Sequence, residues 1–483
     1  MRVKNWCIFL PAAVASGIAL ILNVFDTPAR GQVTYCVAPN GSDSNSGTCS
    51  SPWRTINHAV KADSPVSAGD TILVQPGTYT ELVILGKSGN SSSGHIKLKA
   101  NGAVTLRDPE PNVGYFRKGV IQSARKSYWI IDGFRIENTG WAGIALRDAD
   151  NMIVQNNHTY ETGTSGIFIA PDVYYDGGDA EVVNTNIKVL NNTVERANWR
   201  WSGPGDPNGE QEALTIWGVD GFEVAHNTIN QGKREGLDVK VGSRNGTIHD
   251  NIVTGQALIS GTPQGYNGGP AIYIDGHRAN SYNISIYNNT VYGNVADAIA
   301  IGDEVPWQGD VSNIRIYNNV VYGNGRYGSN GGRGIFVDSN VSNVQIQHNT
   351  LFNNVQAIYI EGASSGYKPR NVLIQDNILA NSSFRNQLIG NAENVTLDNN
   401  LYTMGHSRLY DLGGSVNNLN EGRSLTTPSV GFVNQDGNDF RLTPSSAAIN
   451  ASSSNIPDYL QLDKDGNSRF QSGTPDLGAY EHK

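Results

Sequence analysis

The chain has 483 residues, of which 55 are glycine and 16% are charged, and its formal net charge is −9. A chain of this length can bury a large core, and its low charge content argues against long disordered segments. The acidic balance disfavours a nucleic-acid partner, because nucleic-acid-binding proteins carry a basic stripe. A polyanionic partner would have to be held by a local basic group or a bridging metal ion.

The amino terminus has the pattern of a secretory signal peptide. Arg2 and Lys4 precede an apolar run at residues 6–25, and small or polar residues follow at 29–31. This order predicts a signal at residues 1–31, cleavage near residue 30, and a secreted mature chain without membrane attachment. The apolar run is long for a signal, so an uncleaved amino-terminal anchor is the alternative.

Two cysteines remain after the predicted signal. Cys36 and Cys49 flank the polar loop at residues 40–47. An even pair in an exported chain predicts one structural disulfide that closes this loop.

Internal repetition dominates the chain from about residue 130 to residue 400. A β-branched run, an asparagine and an apolar pair recur at intervals of 24–38 residues, and the asparagines are Asn157, Asn192, Asn227, Asn251, Asn289, Asn319, Asn349 and Asn377. We interpret them as bends at which side-chain amides bond to the backbone and to the asparagine of the next turn. Their role is structural.

A second repeated pattern is a run of six residues. It occurs at 142–147, 165–170, 212–217, 235–240, 270–275, 297–302, 333–338 and 356–361. The second place is Gly or Ala, the third and fifth are Ile, Leu or Val, and the fourth and sixth vary. This period of two predicts strands with an inward aliphatic face and an outward variable face. Several strands and one variable loop per repeat predict an all-β fold, a single parallel β-helix over residues 32–483.

Both ends of the predicted β-helix carry recognisable motifs. They are Val37-Ala-Pro-Asn-Gly-Ser-Asp, Gly69-Asp-Thr-Ile-Leu-Val-Gln-Pro-Gly-Thr-Tyr-Thr-Glu81 and Pro475-Asp-Leu-Gly-Ala-Tyr-Glu481. These motifs resemble the opening turn, capping helix and closing segment of secreted right-handed parallel β-helix proteins of the pectate lyase-like superfamily. The resemblance implies a right-handed coil, an N-terminal cap at 32–81 and a closing segment at 425–483. It leaves the substrate open, because this fold hosts lyases, hydrolases, epimerases and adhesins.

One pair of adjacent turns concentrates charge on the outward face. Asp238 and Lys240 share one run, which begins with Glu235, and the run before it begins with Glu212. Carboxylates about 5 Å apart repel each other by roughly 1 kcal/mol or more, so a compensating cation is expected. That cation is Ca²⁺, or else the basic side chains make this a surface salt-bridge cluster. A slip of one place in the register would separate the charges.

This set of residues suits β-elimination in a uronic-acid polysaccharide. The reaction neutralises the C6 carboxylate, removes the C5 proton and protonates the leaving oxygen. We predict Glu212, Glu235 and Asp238 as Ca²⁺ ligands and Lys240 as the base, with its pKa lowered by the cation and by partial burial. Arg234 is the second catalytic candidate, since an arginine can hold a carboxylate.

The charged turns resemble the calcium-dependent pectate lyases of polysaccharide lyase family 9. Glu235-Gly-Leu-Asp238 and Glu212 match the positions of that family's metal-binding acidic residues. The resemblance is incomplete, because the base lysine of the family lies on a later turn, where this chain has Asp275, Gly302 and Asp338. Lys240 is therefore assigned by proximity, and it is alternatively a salt-bridge partner of Asp275.

Further residues are candidates for substrate contact. Trp217 and Tyr273 could stack on sugar rings, and Arg147 and Arg333 could hold substrate carboxylates, although packing and solvated surface roles are the alternatives. The leading hypothesis is a secreted, monomeric, Ca²⁺-dependent lyase that acts on an acidic polysaccharide, pectate before alginate. The competing hypotheses are a glycoside hydrolase, whose carboxylate pair this set could also supply, and a non-catalytic carbohydrate-binding β-helix.

Overall fold

The computed structural model describes residues 31–114, 118–173, 182–203, 206, 211–256, 269–302, 309–325, 331–362, 366–403, 410–411, 416–471 and 473–483. The predicted signal peptide lies almost wholly outside these residues and stays a prediction. Residues Val33–Lys483 form one compact unit. None of the helices in the described ranges has the length and apolar character of a membrane span.

The chain winds as a coil whose turns stack into three long parallel sheets. From residue 83 onward, each complete turn contributes a strand to sheet I, then to sheet II, then to sheet III. Sheet I consists of Val83–Ile84, Gly119–Ala124, Ala142–Arg147, Ile167–Ala170, Leu214–Trp217, Leu237–Lys240, Ile272–Asp275, Ile299–Gly302, Arg333–Asp338, Gln356–Glu361, Arg385–Gly390 and Tyr410–Asp411.

The two other sheets follow in the same turns. Sheet II consists of Thr34–Val37, Thr71–Val74, Ile96–Ala100, Ser127–Asp132, Asp150–Gln155, Asn184–Leu190, Val219–Ala225, Arg244–His249, Ser281–Tyr287, Val311–Tyr317, Val341–Gln347, Arg370–Gln375, Glu393–Asp398 and Asn417–Glu421. Sheet III consists of Gly77–Thr80, Val104–Arg107, Arg135–Thr139, His158–Thr162, Thr193–Glu195, Thr228–Asn230, Ile252–Thr254, Thr290–Tyr292, Val320–Tyr322, Thr350–Phe352, Ile378–Ala380, Asn400–Thr403 and Ser424–Thr427.

The core of the coil is formed by the aliphatic places predicted from the six-residue runs. The third and fifth residues of all eight runs are buried in one continuous core. The register pairs fourth places with fourth places, as in Phe168 with Thr215, Asp238 with Tyr273 and Ala300 with Phe336. The predicted all-β parallel coil and its alternating faces are therefore confirmed.

The predicted asparagine ladder runs along the corner between sheets II and III. Asn289 is typical, because its backbone N–H and its Nδ2 donate to Asn319 Oδ1 over 2.9 and 3.0 Å. The residue before each ladder asparagine is left-handed, as with φ 56° at Asn288, which turns the chain out of sheet II. A second ladder, Gln256–Asn294–Asn324–Asn354, follows the end of sheet III, and the sequence reasoning missed it.

The amino-terminal end of the coil is closed by a short helix and a disulfide. Thr55 Oγ1 accepts the His58 N–H at the start of the helix Ile56–Val60. Glu81 accepts the backbone N–H groups of Ile56 and Asn57 at 3.0 and 2.9 Å. Cys36 and Cys49 form the predicted disulfide.

The carboxy-terminal residues return along the outside of the coil. They include the antiparallel strands Phe432–Asn434 and Asp439–Leu442 and the 3₁₀ turn Asp458–Leu460. This closing segment contacts the residues that directly precede the ladder asparagines. Arg469 Nη2 donates to Asn318 Oδ1 at 2.7 Å, and Gly478 N donates to Asp376 O at 2.9 Å. The segment therefore joins turns that are distant from it in sequence.

Asp376 is a titratable group where the closing segment contacts the coil. Burial raises its pKa to about 6, while hydrogen bonds from Asn399 and Ser453 to its carboxylate act in the opposite direction. Between pH about 4 and 6 the folded chain therefore binds a proton that the unfolded chain has released. Stability falls as the pH rises through this window and stays lower above it.

We expect Asp376→Asn to stabilise the protein at pH 8 by about 1–3 kcal/mol and to have little effect near pH 4. An amide at this position can still accept the bonds of Asn399 and Ser453, and asparagine tolerates the φ of 58°. Urea unfolding midpoints of both proteins at pH 4 and pH 8 provide the test. An equal or lower midpoint for the variant at pH 8 contradicts the prediction.

Candidate functional site

The charged residues of the two adjacent runs meet on the outer face of sheet I. The strands Leu214–Trp217 and Leu237–Lys240 pair with Thr215 beside Asp238 and Trp217 beside Lys240. The backbone N–H of Ala213 donates to Glu235 O at 3.0 Å, so Glu212 and Glu235 begin neighbouring turns. The register inferred from the sequence is the one that the structure has.

Lys240 lies between two buried carboxylates. Its Nζ is 2.6 Å from Glu212 Oε1 and 3.1 Å from Asp238 Oδ2. The side chains of Lys240, Glu212 and Asp238 are only 12%, 5% and 5% exposed. Thr215 Oγ1 donates to Glu212 Oε2 at 2.9 Å and thereby orients that carboxylate. We call Glu212, Asp238 and Lys240 the lysine–carboxylate cluster.

The cluster shifts the pKa of each of its members. Burial alone lowers the pKa of Lys240, but the charges of Asp238 and Glu212 outweigh it and raise that pKa above its ordinary value. Burial opposes ionisation of Glu212, yet Lys240 and Arg234 hold its pKa below the ordinary value. Burial raises the pKa of Asp238 well above its ordinary value; Lys240 opposes this rise, and the carboxylates of Glu212, Asp275 and Glu235 add to it.

The lowered pKa predicted for Lys240 supposes a bound cation, and in the protein by itself the two carboxylates raise that pKa instead. The prediction counted burial and a bound cation, but it did not count the two carboxylates that contact the ammonium. An ammonium in contact with carboxylates keeps its proton, because each carboxylate favours the charged form. In this arrangement Lys240 is an ammonium that neutralises two buried acids.

Arg234 and Glu235 form a second ion pair beside the cluster. Arg234 Nε is 3.3 Å from Glu235 Oε2, and its guanidinium carbon lies 5.2 Å from the centre of the Trp201 ring. Gly269 leaves the space that Glu235 occupies, since a Cβ at that position would come within 2.2 Å of Glu235 Cδ. Both predicted residues thus lie at the site, with Arg234 directed at a carboxylate of the protein.

The site carries more negative than positive charge. Four carboxylates, Glu212, Glu235, Asp238 and Asp275, lie near three basic side chains of the described residues. These are Lys240, Arg234 and Arg278, the last with its guanidinium carbon 5.9 Å from the centre of the Trp217 ring. This leaves one more acidic than basic side chain. Asp238 Oδ1 is buried and has no hydrogen-bond partner among the described residues. Oxygen donors with excess negative charge suit Ca²⁺, so the residues present fit the predicted ion.

Asp275 belongs to this carboxylate group. It is buried, and its Oδ1 accepts the backbone N–H of His277 at 3.0 Å. The two ion pairs of Lys240 at 2.6 and 3.1 Å go to Glu212 and Asp238. The charge of Asp275 helps to raise the pKa of Asp238.

Trp217 does not present a ring face to a ligand. It is 2% exposed and packs on the outer face of sheet I in a small apolar cluster that includes Trp141 and Phe168. Lys240 Nζ lies 5.0 Å from the centre of its ring. Trp217 is therefore too buried to stack on a sugar ring, contrary to the prediction. Its indole packs in the apolar cluster and makes a cation–π contact with Lys240.

The outer face continues from the cluster as a row of aromatic and small residues. Tyr273 follows Asp238 in register and is partly exposed, and Ala300, Phe336 and Tyr359 follow it on successive turns. The small residues Ala300 and Gly302 leave a pocket that Tyr273 and Phe336 border. Phe336 and Tyr359 were not predicted as site residues, although their outward fourth place was visible in the repeat.

The two predicted substrate arginines are already paired. Arg333, at the pocket, donates to both oxygens of Asp297 over 2.7 and 2.5 Å and lies 3.5 Å above the Phe336 ring. Arg147 donates to Asp172 Oδ1 at 2.8 Å and lies three strands away from Lys240 in sheet I. The structure thus brings Arg333 and Tyr273 to this pocket and leaves Arg147 apart from it.

Comparisons with known proteins agree with this fold. Residues 35–198 match a family described as Pel9A-like, right handed β-helix region, and residues 214–401 match the right handed β-helix region. Uncharacterized protein YwoF of Bacillus subtilis (strain 168) is 27% identical over 324 residues, 60% of this chain and 64% of that protein. Pectate lyase L of Dickeya chrysanthemi is 27% identical over 140 residues, 27% of this chain and 32% of that protein. The chain thus spans less than two thirds of the length of either curated relative.

Three solved structures share the architecture. XylC in complex with xylose has a TM-score of 0.54 and 13% identity, and the match covers 93% of this chain and 98% of that chain. Pectate lyase Pel9A has a TM-score of 0.51 and 17% identity over 94% and 98% of the two chains. The periplasmic alginate epimerase AlgG has a TM-score of 0.50 and 12% identity over 75% and 80%. These likenesses confirm the predicted right-handed parallel β-helix, and at these identities they show the fold alone.

Proposed function

We propose that this chain, a right-handed parallel β-helix protein of the pectate lyase-like kind, cleaves a uronic-acid polysaccharide by β-elimination. The observation that carries the proposal is the buried lysine–carboxylate cluster on the outer face of sheet I. In it, Lys240 Nζ lies 2.6 Å from Glu212 Oε1 and 3.1 Å from Asp238 Oδ2. Charged groups this deeply buried are concentrated at functional sites. The 27% identity to pectate lyase L over 140 residues favours pectate as the polymer.

Each residue of the site has a separate proposed role in the elimination. Glu212, Glu235 and Asp238 would hold Ca²⁺, and the chemistry that this ion supplies when bound is neutralisation of the substrate carboxylate. Once Glu212 and Asp238 no longer contact its ammonium, Lys240 would release a proton to water, and the resulting neutral amine would accept the C5 proton. Water would supply the proton that the leaving oxygen takes up. Arg234 lies beside this point and stabilises the negative charge that develops as that proton leaves.

The pocket that Tyr273 and Phe336 border, next to the cluster, would receive part of the polymer. Tyr273 and Phe336 offer aromatic surface for sugar rings, and Arg333, held by Asp297, borders the same pocket. An acidic polysaccharide is therefore the proposed partner, bound by a monomer. The disulfide Cys36–Cys49 supports the further proposal that the mature chain is exported, because disulfides persist in oxidising compartments.

Ultraviolet absorbance of the products tests the proposal. Polygalacturonate and alginate are each incubated with the protein in Ca²⁺ and in excess chelator. We expect absorbance to rise with polygalacturonate and Ca²⁺ and to stay flat with chelator, because only elimination creates the conjugated C4–C5 double bond. New reducing ends without absorbance would indicate a hydrolase and refute the proposal. A rise with alginate alone would retain elimination and replace the polymer.

A further inference from the structure

Two histidine–aspartate pairs occupy the corner between sheets II and III. In each pair the histidine lies on one turn and the aspartate at the same position of the next turn; the pairs are His226 with Asp250 and His348 with Asp376. The corner residue directly precedes the ladder asparagine and has left-handed backbone angles, with φ 58° at His226 and 54° at Asp250, and 51° at His348 and 58° at Asp376. Within each pair the following asparagines are bonded to each other across adjacent turns. Each histidine therefore stands next to the aspartate of the following turn.

The pair His348 and Asp376 is covered by the protein. His348 Nε2 lies 3.6 Å from Asp376 Oδ2, and both side chains are buried. Ser452 and Ser453 of the closing segment cover the pair, and Ser453 N donates to Asp376 Oδ1 at 3.2 Å. This pair shows that the corner geometry brings an imidazole nitrogen and a carboxylate oxygen together.

The pair His226 and Asp250 is open to solvent and has a second histidine. His226 is exposed, and His249 and Asp250 are partly exposed. The ligand atoms of these three residues all lie within 4.8 Å of one another. His249 Nδ1 is 2.8 Å from Asp250 Oδ2, and its ring stacks on Tyr287 with 4.7 Å between ring centres, which fixes the ring orientation. Glu223 Oε1 adds a further carboxylate oxygen 3.5 Å from His249 Nε2.

We propose that His226, His249 and Asp250 bind a divalent transition-metal ion, with Zn²⁺ as the first choice. Two imidazoles and a carboxylate are a donor set for Zn²⁺ and its neighbours, whereas Ca²⁺ takes oxygen ligands. Bonds of about 2.0–2.2 Å bring the donors closer together than 4.8 Å, and the exposed His226 side chain can make this adjustment by rotation. Water molecules complete the coordination.

This site is separate from the lysine–carboxylate cluster. It lies at the corner between sheets II and III, while the cluster lies on sheet I. The bound ion would link the turn of His226 to the turn of His249 and Asp250. Its expected effect is therefore a higher melting temperature, since a ligand that binds only the folded chain stabilises it.

Titration of the untagged mature protein with ZnCl₂ in a calorimeter measures this binding directly. We expect one saturable site in the wild type and at least tenfold weaker binding in His226→Asn, His249→Gln and Asp250→Asn. Asparagine suits the left-handed backbone at residues 226 and 250, so these two variants preserve the corner. A visible d–d spectrum with Co²⁺ reports nitrogen and oxygen ligation independently.

His158→Gln is the matched control. His158 lies in sheet III beside Glu195 at 2.9 Å and outside the proposed site, so this change should leave Zn²⁺ binding intact. Excess Ca²⁺ should not displace the ion, and His226→Asn should retain uronate cleavage. The absence of saturable binding in the wild type, or unchanged binding in both His226→Asn and Asp250→Asn, overturns the proposal. Neither result bears on the lyase proposal, because binding is measured without substrate.

Discussion

Lys240→Ala should lower the rate of unsaturated-product formation by a factor of about 10³ or more. The change removes the proposed base and leaves Glu212 and Asp238 as buried carboxylates without their ammonium partner. It therefore also lowers stability, by about 3 kcal/mol or more, because breaking a buried ion pair leaves uncompensated charge. Initial rates from ultraviolet absorbance and a thermal melt of the same preparation measure the two effects separately.

Lys240→Arg separates catalysis from folding. Arginine keeps the positive charge between Glu212 and Asp238, but its guanidinium cannot act as a base near neutral pH. We expect this variant to melt closer to the wild type than Lys240→Ala while it loses most of the activity. Retention of more than a tenth of the wild-type rate would contradict the assignment of Lys240 as the base.

Lys188→Ala is the surface control for the same experiment. Lys188 Nζ pairs with Glu223 at 2.7 Å, and about half of its side chain is exposed, at 51%. An exposed ion pair contributes about 0–1 kcal/mol, so this variant should keep its activity and nearly all of its stability. Equal losses in both lysine variants would show that the effect is not specific to the cluster.

Asn319→Ala should destabilise the coil by about 3–5 kcal/mol. Asn319 Oδ1 accepts hydrogen bonds from the backbone N–H and from the side-chain Nδ2 of Asn289. The Nδ2 of Asn319 donates to Ile286 O, Tyr317 O and Asn349 Oδ1 at 2.9–3.1 Å. Alanine removes all of these side-chain bonds in a position that water does not reach. Thermal and urea unfolding should show a melting temperature lower by about 5 °C or more.

Asn313→Gly is the matched control on the surface. Asn313 belongs to an exposed series, in which its Nδ2 donates to Asn283 Oδ1 at 3.1 Å, and its φ of 55° is readily adopted by glycine. Water can replace this bond, so we expect a loss below about 1 kcal/mol. A similar loss in both variants would mean that the buried ladder is not a special source of stability.

Much of the fold was predictable because the repeat is local and regular. Alternation with a period of two assigned the inward places, and alignment of the six-residue runs set Thr215 beside Asp238 and Trp217 beside Lys240. Repetition also identified the buried ladder that contains Asn319. The second ladder was missed although the repeat carried its signal. Gln256, Asn294, Asn324 and Asn354 each lie five positions after an asparagine of the first ladder, and Val-Tyr-Gly-Asn occurs at both 291–294 and 321–324.

The candidate site was less predictable than the fold. Its members could be named from the outward places, but the contacts of Lys240 depend on side-chain directions and on the burial of Glu212 and Asp238. The same holds for Trp217, whose burial results from packing with Trp141 and Phe168, 76 and 49 positions earlier in the chain. Likewise, Arg333 faces Asp297 because the two begin adjacent turns.

The sequence by itself determined the parallel coil, its strand register, the asparagine ladder and the cysteine pair, because each follows from residues that repeat or lie close together along the chain. Only the tertiary structure decided the charge state of Lys240, the covering of Trp217, the course of the closing segment and the meeting of His226 with His249 and Asp250. The physical reason is that these features depend on distances between side chains of different turns. Burial and neighbouring charge, which set the pKa values and the packing, exist only after the turns have stacked.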